Sequence, residues 1–122
     1  MPIVDVQLVV PGIECVPPSL AQAVADGLGH LLASPAGHTW VRASALSASN
    51  YAENGSRLAQ DGLPVFVTLL LAAPPEGEAR VAQAALITTA VALAVGRDRS
   101  NVHIEYAAEG NGRVAFGGLL VE

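Results

Sequence analysis

The residue with the most distinctive potential chemistry is Pro2, which follows Met1 and opens an apolar stretch ending at Val10. Initiator methionine is normally removed when a small residue such as proline follows, and Pro2 would then carry a free secondary amine. An ordinary α-amino group has a pKa of about 7.7–8.0, and desolvation or a nearby cation lowers it. Such an amine is a suitable base for proton transfer beside a carbonyl. If Met1 is retained, Pro2 is an amide without basic chemistry, and a Met-Pro start by itself is common.

Other residue types with catalytic or binding potential are sparse. The chain has no lysine, and its formal net charge of −5 argues against a nucleic-acid partner or an anionic membrane. The single cysteine, Cys15, excludes an internal disulfide and a cysteine-rich metal site. The three histidines are scattered without the spacing of metal ligands, so we expect no metal site. In a chain this acidic, the position of each of the six basic residues is informative, and all six are arginines: Arg42, Arg57, Arg80, Arg97, Arg99 and Arg113.

The chain length and composition predict one domain, residues 1–122, with a modest core. The sequence is 52% hydrophobic, yet its longest apolar run, 81–95, is shorter than the roughly 18–20 residues of a membrane span. No basic segment precedes the first strand, so we expect no signal peptide and a cytoplasmic protein. The surplus of apolar residues is better explained by a subunit interface.

The pattern of apolar residues and helix-breaking residues predicts two successive strand–helix–strand units. The first comprises a strand over 1–10, a helix that Ser19 can cap and that runs to about Ala33, and a strand over about 39–46. The second comprises a strand over 64–71, a helix over about 76–95 closed by Gly96, and a strand over about 101–106. A glycine-rich segment over 110–118 then leads into a short final strand.

The two units form an internal repeat. Pro2 lies opposite Pro64, Leu8 opposite Leu70, and Gln22 opposite Gln83 after a one-residue shift. Each half, about 1–60 and 61–122, is predicted to be a βαβ unit with parallel strands and a right-handed crossover. The fold class is therefore α+β, with a four-stranded mixed sheet and two helices on one face. Because the second half opens on a strand apolar on both faces, we expect another copy of the chain to cover the other face.

In these features the chain resembles the tautomerase superfamily, which contains 4-oxalocrotonate tautomerase and macrophage migration inhibitory factor. The resemblance covers the whole chain. It rests on the Met1-Pro2 start, the duplicated βαβ unit, Val10-Pro11 followed by Val16-Pro17, and Thr39-Trp40-Val41-Arg42. It implies a homotrimer with a site at each subunit boundary. There Pro2 would be the general base in keto-enol proton transfer on a small keto acid or enol, without cofactor or metal.

The resemblance also implies roles for several other residues. Arg42 matches the position that grips a substrate carboxylate from an adjoining subunit, and Tyr51 falls near an aromatic position that walls the pocket. His103 lies where the migration-inhibitory-factor branch has a pocket tyrosine, and opposite Arg42 in the repeat. Arg113 and Phe116 would serve the subunit contact first and a pocket second. Each of these residues could instead have a purely structural role.

The chain departs from the family pattern at three places. Pro11-Gly12 stand where 4-oxalocrotonate tautomerase has an early arginine, and Ser34 stands where the migration-inhibitory-factor branch has a lysine, so a dicarboxylate substrate is less favoured. Pro64 is internal and cannot be a base. Decarboxylation or hydration would need a further acidic or basic group, for which Glu53 and Glu105 are candidates. The alternative function is a non-catalytic trimeric binding module of the same fold.

Overall fold

A computed structural model describes residues 2–59 and 62–122 of the chain. The order of its elements matches the predicted order, and the ends differ by one or two residues. The boundary expected between the halves, at residues 60 and 61, lies outside the described residues. The strands and helices are β1 (Ile3–Val10), α1 (Leu20–Leu31), β2 (Trp40–Ser47), β3 (Val65–Leu70), α2 (Gly77–Val95), β4 (Val102–Tyr106), β5 (Ala115–Phe116) and β6 (Leu119–Leu120).

The first four strands form one mixed sheet in the order β2-β1-β3-β4. β1 runs parallel to β2 and β3 runs parallel to β4, as the two βαβ units require. The two units meet through antiparallel pairing of β1 with β3, in which Val6 pairs with Val67. The predicted four-stranded mixed sheet is therefore confirmed. β5 and β6 form a separate two-stranded hairpin near the C-terminus.

Both helices cover the same face of the sheet and contact each other. The alternation of side chains along a strand places every second residue of β1 and β3 under these helices. Fully burying an aliphatic side chain of this size stabilises the fold by roughly 1.5–3 kcal/mol. The buried side chains of this core include Val4, Val6 and Leu8 of β1, Val65, Val67 and Leu69 of β3, Val24 and Leu28 of α1, and Ile87 and Val91 of α2.

The opposite face of the sheet, here called the open face, is covered by no helix of the described chain. Its composition is more mixed than the sequence predicted. Phe66 and Leu70 are partly buried there, but the strand register aligns a polar row across all four strands: Arg42, Asp5, Thr68 and Glu105. A covering subunit would thus pack on a partly polar surface, and the oligomer remains a prediction.

The two helices end in different ways. Gly96 takes a left-handed conformation with φ of 70°, which confirms it as the residue that closes α2. Ser19 precedes α1 as predicted, but its side chain makes no capping hydrogen bond. By length and composition α2 could cross a membrane, whereas its sequence predicted no membrane span. Core helices meet the same criterion, and α2 contributes Ile87 and Val91 to the core.

Candidate functional site

Pro2 is held at the beginning of β1, at one end of the sheet. Pro2 is buried. Its carbonyl oxygen accepts a hydrogen bond of 3.0 Å from the backbone N–H of Trp40, the first residue of β2. A proline suits this position because the first residue of a strand need not donate to the sheet. The hydrogen bond from β2 therefore holds the carbonyl group of Pro2 in place, and the Pro2 nitrogen lies at the end of the strand.

A cavity of about 420 Å³ lies beside Pro2 and is here called the Pro2 cavity. Its volume falls within the range of pockets that hold small molecules. Segments from both halves of the chain form its walls, so the repeat creates the cavity where its two units meet. The lining residues are Pro2, the end of α1 with the residues after it (Leu32, Ala33, Ser34, Pro35), the segment after β3 (Leu71, Ala72, Ala73, Pro75) and Gln83 of α2.

The turn after α1 brings Ser34 into the wall of this cavity. Ala33 has a φ of 51°, which is unusual for a residue other than glycine. The N–H of Ser34 donates to the carbonyl of Gly29 at 2.9 Å, and the N–H of Ala33 donates to that of His30 at 3.2 Å. These two bonds form a Schellman motif, in which glycine is the usual residue at the left-handed position. Ser34 thus lies in the wall of the Pro2 cavity.

The second polar side chain of the cavity, Gln83, is held by a residue from β4. The Tyr106 hydroxyl donates to Gln83 Oε1 at 2.6 Å. The Arg80 guanidinium lies over the Tyr106 ring at 5.3 Å, and Arg80 Nε donates to the carbonyl of Pro75 at 2.7 Å. Burial raises the pKa of Tyr106, and the positive charge of Arg80 acts in the opposite direction.

Sequence reasoning did not select Gln83, Tyr106 or Arg80 as site residues. Two signals could have found part of this group. Arg80 and Gln83 are three residues apart and therefore lie on one face of α2. Tyr106 ends a strand on the helix-facing side, where a buried hydroxyl needs a hydrogen-bond partner.

Arg42 forms an ion pair within its own sheet. Its Nε and Nη2 donate to the two carboxylate oxygens of Asp5 at 2.6 and 2.9 Å. This pairing raises the pKa of Arg42, chiefly through the hydrogen bond. The pair lies on the open face, three residues along β1 from Pro2, so one subunit does not bring Arg42 into its own Pro2 cavity. The role of Arg42 as a carboxylate anchor from an adjoining subunit remains a prediction.

Tyr51 and His103 come together through Phe66. The ring centroids of Tyr51 and Phe66 are 5.7 Å apart, and those of Phe66 and His103 are 5.6 Å apart. Phe66 pairs with Gln7 of β1, which places this cluster about 17 Å along the strand from Pro2. Like Arg42, the aromatic cluster can approach a Pro2 cavity only if that cavity belongs to another subunit.

The two candidates for an additional acid or base are also away from Pro2 in the subunit. Glu53 Oε2 accepts from the Tyr51 hydroxyl at 2.8 Å, and this hydrogen bond is the main reason why the pKa of Tyr51 is raised. Glu105 is exposed on the open face beside Thr68. Neither carboxylate lines the Pro2 cavity.

The C-terminal hairpin lies against the end of the sheet that carries Pro2. The Phe116 ring contacts the Trp40 ring edge-on, with centroids 4.8 Å apart. Because the backbone N–H of Trp40 donates to the Pro2 carbonyl, Phe116 is indirectly linked to the Pro2 strand end. Arg113 is exposed in the turn before β5, where its N–H donates to the carbonyl of Gly110 at 2.9 Å. Neither side chain lines the Pro2 cavity.

No family model matches the sequence, and no curated protein matches it. Solved structures do match it. A fused 4-OT wild-type symmetric trimer aligns with a TM-score of 0.75 and 16% identity, over 98% of this chain and 94% of that one. Macrophage migration inhibitory factor from Oncomelania hupensis aligns with a TM-score of 0.71 and 19% identity, over 100% of this chain and 83% of that one.

A third similar structure is the FG41 malonate semialdehyde decarboxylase inhibited by 3-bromopropiolate. It aligns with a TM-score of 0.65 and 21% identity, over 94% of this chain and 90% of that one. Similarity at this level of identity concerns the backbone and not the chemistry of individual side chains. The chain therefore has the α+β fold of the tautomerase superfamily, as its sequence resemblance implied.

Proposed function

We propose that the protein is a tautomerase-type isomerase of small carbonyl compounds, with the amine of Pro2 as the general base. The observation that carries this proposal is the position of Pro2, buried at the start of β1 and in the wall of a cavity large enough for a small molecule. The proposal requires removal of Met1, because only a terminal proline has a basic nitrogen. Met1 itself lies outside the described residues.

The surroundings of Pro2 favour a base that is neutral near working pH. The cavity wall is mainly aliphatic and prolyl, and such surroundings solvate a cation poorly. Desolvation therefore lowers the pKa of the amine and keeps its lone pair available. The neutral amine takes a proton from the carbon beside a carbonyl and returns it to the carbonyl oxygen, which gives the enol. The same proton transfers in reverse order convert the enol to the keto form.

We also propose that the working unit is a homotrimer. Two of the similar solved structures are described as trimers, a symmetric and an asymmetric fused 4-OT. The open face carries the residues that a single subunit keeps away from Pro2, namely Arg42, Tyr51 and His103. Assembly through this face would bring them to a neighbour. Light scattering of the purified protein should give three times the subunit mass, and a stable monomer would contradict this part of the proposal.

The experiment that tests Pro2 compares two forms of the protein that differ only at the N-terminus. Intact mass first establishes whether Met1 is absent from untagged protein. The processed form and a form with one extra residue before Pro2 are then assayed for ketonisation of phenylenolpyruvate. We expect the extended form to lose proton transfer while light scattering shows the same assembly.

Two outcomes would count against the isomerase. If the extended form ketonises the enol as fast as the processed form, Pro2 is not the base. If Met1 is retained in the native protein, Pro2 is an amide and the non-catalytic binding module becomes the better interpretation. Pro2→Ala keeps a terminal amine, but a primary one, and should be impaired without necessarily being inactive.

A further inference from the structure

The polar groups in the Pro2 cavity are neutral. Of its lining residues only Ser34 and Gln83 carry polar side chains, and the rest are aliphatic residues or prolines. The Arg80 guanidinium approaches this region, but it lies over Tyr106 and donates to the Pro75 carbonyl. Within the described part of one subunit, the cavity thus offers hydrogen bonds to a ligand without a fixed positive charge.

The two helix ends at the cavity do not supply the missing positive charge. The residues that directly follow the C-terminal end of α1 contribute to the wall, and the carbonyls of that helix end carry a partial negative charge. The N-terminal end of α2 has the opposite sign, but it already carries Glu76 and Glu78. A neutral Pro2 amine, which the proton transfer needs, adds no charge either. Within one subunit, this environment disfavours a carboxylate next to Pro2. An Arg42 that assembly brought from a neighbouring subunit would arrive already paired with the Asp5 carboxylate.

Gln83 has the donor that a carbonyl oxygen would need. Its Oε1 accepts the hydrogen bond from Tyr106 at 2.6 Å, which fixes the orientation of the amide. The Tyr106 hydroxyl is the donor in this hydrogen bond, and burial raises its pKa. No described residue accepts from the Gln83 amide nitrogen. Both of its N–H groups are therefore available to a ligand, and Tyr106 acts as a positioning residue.

We propose that the Pro2 cavity takes a neutral carbonyl compound or its enol, and that the Gln83 amide holds the carbonyl oxygen. This inference rests on the proposed function. Pro2 takes the proton of the C–H bond, whose electron pair forms the C=C bond, and the carbonyl electron pair moves to oxygen. Gln83 donates to that oxygen as its negative charge develops, and the proton then passes from Pro2 to the oxygen. A preorganised amide donor can stabilise this charge without a cation.

The first test measures binding with a matched pair of non-reacting ligands, methyl benzoylformate and benzoylformate. Neither has a C–H bond beside its ketone, and they differ in whether the acid group is a neutral ester or a carboxylate. Calorimetry on the processed protein should show tighter binding of the ester. Gln83→Leu should weaken ester binding about tenfold, the value expected for one lost hydrogen bond.

The internal repeat supplies a control glutamine. Gln22 of α1 is the counterpart of Gln83, but it is exposed and donates to Asp26 at 2.8 Å. Gln22→Leu should leave the affinity for the ester unchanged. Tyr106→Phe keeps the ring and removes the hydroxyl, so it should weaken ester binding by less than Gln83→Leu does. Gln83→Lys adds a cation and should reverse the preference in favour of benzoylformate.

Tighter binding of benzoylformate than of the ester by the unsubstituted protein would overturn this inference. So would the absence of ester binding, or ester affinity that Gln83→Leu and Tyr106→Phe both leave unchanged. A turnover assay with the methyl ester of phenylenolpyruvate separates this inference from the proposed function. If methyl benzoylformate binds as expected but the processed protein does not ketonise the enol ester, the isomerase proposal fails and the ligand class stands.

Discussion

Arg42 and Asp5 form a two-bond ion pair between neighbouring parallel strands, with N–O distances of 2.6 and 2.9 Å. Asp5 accepts from two N–H groups of the guanidinium, and a substrate carboxylate would bind the guanidinium through the same kind of paired hydrogen bonds. A keto acid that reached Arg42 in a neighbouring subunit would therefore compete with Asp5. The ion pair thus bears directly on whether Arg42 can act as a carboxylate anchor.

Our first prediction concerns this pair. Arg42→Ala should leave kcat/KM for the methyl ester of phenylenolpyruvate unchanged, because the ester has no carboxylate for the guanidinium to bind. Since both side chains are exposed, at 73% and 48%, water and salt screen the ion pair, and the loss in unfolding free energy should be small. Steady-state kinetics and urea unfolding measure the two quantities. A rise in KM for phenylenolpyruvate itself, with kcat retained, would instead show that Arg42 binds a carboxylate. Asp5→Asn should then lower that KM.

The second prediction concerns the turn that carries Ser34. Ala33→Gly should stabilise the protein by about 1 kcal/mol, because Ala33 has a positive φ at the left-handed position of the motif that ends α1. Thermal and urea unfolding check this value. The matched control is Ala36→Gly, at an exposed residue outside the helix without a positive φ, which should not stabilise the protein. An equal gain from both substitutions would contradict the explanation from backbone strain.

The third prediction concerns the two tyrosines, whose pKa values are both raised. The pKa of Tyr51 is raised chiefly by its hydrogen bond to Glu53, and the pKa of Tyr106 is raised chiefly by burial. Ultraviolet titration should therefore show both phenols ionising above the ordinary value of about 10. The stability that each protonated phenol contributes is fully present below pH 10 or so, and it is lost as the pH rises through the folded-state value.

A pair of variants assigns the two titrations. Tyr106→Phe leaves only the Tyr51 transition, and adding Glu53→Ala should move that transition back towards the ordinary value. The Tyr106 transition, observed in Tyr51→Phe, should not respond to Glu53→Ala. If Glu53→Ala leaves the pKa of Tyr51 unchanged, the hydrogen bond at 2.8 Å is not its cause.

The fourth prediction concerns the core under the helices. Leu69→Ala should lower the unfolding free energy by about 2–5 kcal/mol, because Leu69 is fully buried and its removal leaves a cavity. Leu86→Ala in α2 is the control, since Leu86 is 56% exposed and should change stability by less than about 1 kcal/mol. Chemical unfolding of the two variants gives the comparison. Similar losses at both positions would indicate that Leu86 is buried by another subunit.

Much of the fold was predictable because it is encoded locally. The apolar, β-branched stretch 1–10 and the stretch 64–71, apolar on both faces, were identifiable as strands. The helical spacing of Leu20, Val24 and Leu28 identified the buried side of α1. The duplicated pattern then gave the order of elements. The expectation of an apolar second face was less accurate, because the polar row appears only when residues from four strands are aligned.

The sequence by itself determined that Pro2 begins a strand and that Ser34 follows the first helix, since both depend on residues close in the chain. Only the tertiary structure decided which side chains meet. Tyr106 and Gln83 form a hydrogen bond although they are 23 positions apart in the chain, and Arg42 and Asp5 form an ion pair although they are 37 positions apart. Such pairs depend on strand register and on how a helix lies across the sheet. A shift of one residue in register would turn the side chains of the strand to the other face of the sheet. Local periodicity specifies the faces of each element, whereas the packing of the whole core specifies the partners.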